Sequence, residues 1–521
     1  GEGTRSVQLA TDAKTTLSFP VSAREGHSVA KVRVRVDGNG FKADRRYDLP
    51  VGAAWPQVLR SQVRTLDPLA AVSLDNSLTD GLMAESVNAR LLVSPLPPIP
   101  FASALQGALN YPYGCAEQTT SKGYAALILD QATSSMLGAD GLDAKTRRER
   151  MEGAFGRLAS MQVANGNFSM WGDDGYVNPW LTPYITEFLL DAKDAGFAVP
   201  DNVLQKALNR LSEDLLSGGN QFYGQDDREK LKFANQAYSG YVLARVNRAP
   251  LGTLRTLYDN ERSKAVGGLS LVHLGVALSL QGDAKRGQAA LAAAFAKSSS
   301  ERPSYFGDYG SAIRDDALMI ALTHENKLAK PAWDARAVDL GRGLDARRNA
   351  GWMWLSTQEQ VAIARLGKAL AANQKALVAG ELVIGGNTEA IGERKLFGRN
   401  FSANELASGV RFTPQGQPPM FASIDVAGIP RSAPAPDNSV LGVERSYYGT
   451  DGKPWSPRPL KEGEALIVRV TVTADTTMPD ALLTDLLPAG LEIENFNLGD
   501  ATLWADVVVD GITNSDRGEA A

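Results

Sequence analysis

The chain has 521 residues, more than one hydrophobic core usually organises; at roughly 100–200 residues per domain it calls for three or four. Charged residues make up 22% and sum to −5 with both signs interspersed, which argues against a nucleic-acid groove or a polybasic membrane surface. A single cysteine excludes an internal disulfide, and three histidines (His27, His273 and His324) are no basis for a multi-histidine metal site. CxxC, HExxH, P-loop and strand-following GxGxxG motifs are all missing, so no metal and no cofactor is expected.

No apolar run approaches the roughly 18–20 residues that span a bilayer. The opening Gly1-Glu2-Gly3 and the polar close, Ser515 to Ala521, read as cuts in a longer protein, with any targeting signal outside this stretch.

Residues 1–94 read as β. Lys31 to Val36 alternates polar and apolar residues, the period of a half-buried strand, and Asp37-Gly38-Asn39-Gly40 supplies turn chemistry. Leu91-Leu92-Val93 runs into Pro95 to Pro100, which cannot continue a ladder. From about 101 to 373 the period becomes helical: Tyr124–Leu137, Tyr184–Ala195, Val203–Leu216, Leu231–Val246, Leu269–Leu280, Ala312–Leu322 and Gln358–Ala371 all place apolar residues on a 3.6-residue period. Aromatic-glycine loops recur between them, at Phe168 to Gly172, Phe222 to Gly224, Tyr305 to Gly310 and Gly351 to Trp354. Recurring hairpin plus loop predicts a closed ring of helical hairpins, an α/α toroid. Trp171, Trp180, Trp352 and Trp354 are expected in its core. The β period returns at Ala376 to Ile384, and Ala465 to Val472 is the clearest strand beyond the Pro-rich stretch 428–436.

The chemistry concentrates at Tyr111-Pro112-Tyr113-Gly114-Cys115-Ala116-Glu117-Gln118-Thr119-Thr120-Ser121. Cysteine and glutamine at i and i+3 share one face of a forming helix. Attack of Cys115 Sγ on the Gln118 carboxamide, with loss of ammonia, gives an internal thioester. The reactive carbon then belongs to Gln118, and the cysteine is the leaving group. Such a bond needs shelter from water, and Tyr111 and Tyr113 stand where they can cover it. Gly114 permits a tight turn before the helix, and Glu117 reads as a solvated residue of the same supporting turn.

Tyr-Gly-Cys-Ala-Glu-Gln-Thr resembles the thioester motif of the α2-macroglobulin and complement family, and the Tyr-Pro-Tyr-Gly-Cys start with Thr119-Thr120 resembles its bacterial branch. Asn165 to Ser169 and Trp180-Leu181-Thr182 are similar to the family's helical thioester domain. The resemblance implies a multidomain α+β chain. A toroid thioester domain at 95–373 is inserted in a CUB-like β domain made of 1–94 and 374–436, and a macroglobulin-like β-sandwich follows at 437–521. The first segment has room for the end of a preceding macroglobulin-like domain. Ala116 stands where relatives carry Gly or Leu. Complement-type members redirect transfer to hydroxyls through a histidine, and Phe222 to Val246 contains none. His273 sits in an apolar helix and reads as a core residue, so transfer to lysine amines is implied.

By the same resemblance the whole protein is a bacterial defence protein and endopeptidase inhibitor. A protease cuts an upstream bait and is captured once, covalently, through its lysines. A monomeric, periplasmic lipoprotein anchored to the inner membrane is implied, with a penicillin-binding protein as a partner by family association. Two other readings are a thioester adhesin bonding to a surface, and a toroid glycosidase or cyclase. For the last, Asp173-Asp174 and Asp315-Asp316 are the acidic candidates, and no carboxylate pair stands out.

Overall fold

A computed structural model describes residues 3–17, 19, 28–38, 40–52, 55–67, 69–74, 76–172, 177–218, 227–298, 302–303, 306–349, 354–415, 420–433, 435–438, 441–461, 463–475, 482–485, 487, 491–494, 507–509 and 511. The chain divides into two units, Gln57–Ile429 and a second made of Gly1–Pro56 with Pro430–Ala521. The division at Pro56 falls inside the expected first β segment, 1–94. The reason is visible in the strands before it. Among the described residues, β1 (Ser28–Gly38) and β2 (Phe41–Val51) pair only with each other, as an antiparallel hairpin across the expected turn.

The larger unit begins with β3 (Val58–Leu66), β4 (Val72–Leu74) and β5 (Asn88–Ser94). Thirteen helices follow among the described residues: α1 (Phe101–Leu109), α2 (Ala116–Ile128), α3 (Gln131–Leu137), α4 (Ala144–Met161), α5 (Leu181–Asp194), α6 (Asp201–Ser217), α7 (Arg228–Ala244), α8 (Leu251–Thr256), α9 (Leu269–Leu280), α10 (Ala284–Ala296), α11 (Ala312–Glu325), α12 (Pro331–Asn349) and α13 (Thr357–Asn373). The unit closes with β6 (Val378–Ile384), β7 (Asn387–Arg394), β8 (Phe397–Ser402), the short α14 (Ala403–Ala407), β9 (Val410–Pro414) and β10 (Met420–Gly428).

The strands form two antiparallel four-stranded sheets, ordered β3-β10-β5-β8 and β4-β9-β6-β7. Both sheets draw on strands from before and after the helices. Leu91 on β5, Ile424 on β10, Leu382 on β6 and Phe412 on β9 meet in one buried core between them, so the sheets make a sandwich.

The helices close a ring. α2 packs on α5, α5 on α7, α7 on α9, α9 on α11, α11 on α13, and α13 back on α2. Outside it, α4, α6, α8, α10, α12 and α1 each back onto inner helices. Sequence decides the two layers. α9 is buried from Leu269 through Leu278, as a helix apolar on every side must be. α6 buries Val203, Leu204, Ala207, Leu208, Leu211 and Leu215 and leaves its other face to solvent. The expected single helix Tyr124–Leu137 is two, because Asp130 accepts a hydrogen bond from the Thr133 N–H (2.9 Å) and starts α3 afresh. The ring's ends meet where Gln374 Nε2 donates to the Pro95 carbonyl (3.2 Å). The end of α12 is fastened to the sandwich: Asn349 exchanges two 2.8 Å hydrogen bonds with the Ser61 backbone, and Arg348 pairs with Asp425 at 2.9 Å.

In the smaller unit β11 (Leu441–Tyr448) and β12 (Ile467–Ala474) pair antiparallel.

Candidate functional site

Cys115 is the N-cap of α2, one of the six inner helices, and it is buried. Its sulfur accepts the Gln118 backbone N–H, while Gln118 Oε1 accepts the Cys115 N–H at 3.1 Å. This is the reciprocal arrangement of a capping box, with cysteine in place of serine. The cap therefore places both side chains in the same first turn of α2. Burial pushes the Cys115 thiol above its ordinary value and the Glu117 charge adds to that, while hydrogen bonds from the backbone N–H groups of Gln118 and Glu117 pull the other way. The α2 start is pinned from outside by the Ala116 N–H, which donates to the Met170 carbonyl at 2.9 Å.

Gly114, the residue before the cap, does not adopt left-handed backbone. Its carbonyl accepts from Thr119 Oγ1 at 3.3 Å. Tyr111 is half-buried and Tyr113 is 65% exposed; their rings meet edge-on with centroids 5.9 Å apart.

Glu117 is not solvated. It is buried, and its carboxylate accepts from Ser121 Oγ (2.7 Å), Thr357 Oγ1 (2.9 and 2.7 Å) and Gln358 Nε2 (2.8 Å). Thr357 and Gln358 open α13, so this residue ties the first turns of two adjacent inner helices together. Negative charge at two helix N-termini is also favourable. Neither this contact nor the Met170 clamp carries a sequence signal, since the partners are far apart along the chain.

Down the ring's axis runs a polar network. Arg365 on α13 pairs with Glu187 on α5 (2.8 Å) and Glu325 on α11 (2.7 Å), and the Tyr238 hydroxyl donates to Glu187. Burial pushes Glu187 up even against Arg365, and its carboxylates hold Arg365 well above the usual guanidinium value. His273 lies in this core as expected, stacked on Tyr238 with centroids 4.2 Å apart; burial and the Arg314 and Arg365 charges hold it neutral. The C-terminal ends of the inner helices line a cavity of about 650 Å³ bordered by Ile128, Asp194, Arg245, His324 and Asn373. Cys115, at the N-terminus of α2, belongs to the opposite end of the ring.

Other expectations fare differently. Trp180 is buried, but Trp171 and Trp354 are 63% and 71% exposed: they sit on loops before α5 and α13, not on the ring's inner faces. Asp315 and Asp316 are occupied by Arg302, Arg314 and Arg336. His27, Asp173, Asp174, Phe222 to Gly224 and Trp352 lie outside the described residues.

Two family profiles match the chain. The A-macroglobulin TED domain matches residues 86–229 and the bacterial α2-macroglobulin MG10 domain residues 441–508. The α2-macroglobulin of Xylella fastidiosa (strain Temecula1) is 67% identical over all of this chain, which covers 32% of that protein. The chain thus spans about a third of the length of the curated relatives it matches most fully. Among solved structures, native Escherichia coli α2-macroglobulin from domain MG7 to the C-terminus is 32% identical, with a TM-score of 0.66 over 91% of this chain and 74% of that one. The same bacterium's protein activated by porcine elastase matches with a TM-score of 0.50 at 32% identity, over 92% of this chain and 43% of that one. Salmonella α2-macroglobulin reacted with methylamine matches with a TM-score of 0.65 at 34% identity, over 91% of this chain and 31% of that one. The chain belongs to the α2-macroglobulin family.

Proposed function

We propose that Cys115 and Gln118 condense into an internal thioester, and that this bond captures an amine of an attacking protease. The observation that carries the reading is the capping box at the start of α2, in which the buried Cys115 sulfur accepts the Gln118 N–H and the Gln118 carboxamide oxygen accepts the Cys115 N–H within one turn. An incoming lysine amine attacks the Gln118 acyl carbon, the carbon–sulfur bond breaks, and Cys115 leaves as thiolate. The result is one covalent capture and no turnover, which makes the protein an inhibitor. Reaction with methylamine in the Salmonella relative and activation by elastase in the E. coli relative are the behaviours this reading extends to the chain. A protease-trapping protein of the periplasm, anchored to the inner membrane by lipid, is the whole-protein role that fits it. A toroid glycosidase is disfavoured by the axial carboxylates, since Glu187 and Glu325 are held by Arg365 and Asp191 by Arg245.

Intact mass is the test. Freshly prepared protein should weigh one ammonia less than its sequence and show no thiol until methylamine is added. Full mass with a freely titrating Cys115 overturns the reading.

A further inference from the structure

Lys122 is four residues beyond Gln118 and seven beyond Cys115, on the same face of α2. Helical side chains lean toward the N-terminus, so its stem reaches back over the turn that carries both. It is half-buried, and among the described residues no carboxylate lies within ion-pairing distance of it. The charge that acts on it from the outer helix packed on α2 is that of Arg150 on α4. Burial first, and Arg150 second, push its pKa below the usual lysine value, while the Cys115 sulfur lies near enough to pull it partly back. Partial burial and a nearby positive charge both favour the neutral, nucleophilic amine.

We propose that Lys122 is a built-in acceptor for the acyl group: when no foreign amine arrives, Lys122 Nζ takes it from Cys115 and closes an amide with Gln118. This rests on the thioester reading above. The Nζ lone pair attacks Gln118 Cδ, the bond from Cδ to Sγ breaks, and sulfur leaves with the electron pair. One proton from Nζ ends on sulfur. Thioester plus amine becomes amide plus thiol, with nothing gained or lost. Side chains four apart on a helix lie about 5–6 Å apart at Cβ, within reach of a lysine stem. The ammonium form is not a nucleophile, so the reaction is slow and acts as a timer. An uncovered thioester ends as an inert cross-link within one helix and not as a bond to a bystander.

The experiment uses the full chain in amine-free phosphate buffer, followed by intact mass, thiol titration and peptide sequencing by mass spectrometry. A starting sample of full mass with a free thiol overturns the thioester reading and this proposal together. From a light, thiol-free start, the expected product has a free thiol yet remains one ammonia light. Its peptide escapes tryptic cleavage at Lys122 and yields no fragments between residues 118 and 122. In Lys122→Arg that species should vanish, every released thiol should accompany the gain of one water, and methylamine uptake should persist. If thiol release in the parent is matched throughout by a gain of water, the proposal is wrong while the thioester stands.

Discussion

Replacing Glu117 by alanine tests whether the buried carboxylate holds the first turns of α2 and α13 together. Three side chains donate to it, but they do not lose equally. Ser121 Oγ keeps the Tyr184 hydroxyl at 3.0 Å. Thr357 Oγ1 and Gln358 Nε2 lose the acceptor they share. A buried donor left without an acceptor costs about 1–3 kcal/mol, so two predict a loss of about 2–6 kcal/mol in Glu117→Ala. Glu117→Gln keeps one carbonyl oxygen for Ser121 and Gln358 and turns an amide toward Thr357, whose hydroxyl can rotate to accept. That exchange should cost about 1 kcal/mol, the scale of one neutral hydrogen bond. Urea unfolding followed by far-ultraviolet circular dichroism measures both variants. A loss below about 1 kcal/mol in the alanine variant, or equal losses in the two, would refute the argument that unsatisfied donors on α13 set the cost.

Tyr111→Gly removes the half-buried ring two residues from Tyr113 and should speed release of the Cys115 thiol several-fold with little change in unfolding midpoint; identical release rates would show that the ring only packs. Amines should outcompete glycerol for the acyl group, because His273 is neutral and stacked on Tyr238 and His324 borders the cavity at the far end of the ring; labelled methylamine against labelled glycerol measures this, and predominant ester would sink it. Folded His273 stays unprotonated while the unfolded chain takes a proton below about pH 6.5, so the stability it contributes is present above that pH and lost as pH falls, by at most about 1.4 kcal/mol per unit. His273→Phe, which also removes a buried Nδ1 lacking a partner, should flatten that slope between about pH 6.5 and about pH 5 in urea titrations; an unchanged slope would place the acid sensitivity elsewhere.

What the sequence disclosed follows from how local each signal is. α9 was legible because its apolar run has no polar face to misplace, and the β1–β2 hairpin because alternation and turn lie within a few residues. Cys-x-x-Gln has the spacing of a capping box, so the start of α2 was legible as well. The break at Asp130 was not, because apolar spacing continues through it while one side chain caps the next helix. Trp171 and Trp354 misled because aromatic content says nothing about which side of a loop faces water. Glu117 misled for the opposite reason: its partners Thr357 and Gln358 lie some 240 positions away, beyond any pattern of spacing.

The insertion of the ring into the sandwich also sets an order of events during synthesis. β10 is the strand between β3 and β5, yet it begins at residue 420, about 330 residues after β5 ends. At about 5–20 residues per second, β3 and β5 wait some 15–65 s for their shared neighbour. Throughout that interval both present unpaired backbone edges, the surfaces on which strands from different chains join. The toroid, built from contacts nearer in sequence, has time to close first and to bring Pro95 and Gln374 together. The order of synthesis then lets ring closure precede sheet closure, and a defect in an inner helix would prolong the exposure of the β3 and β5 edges.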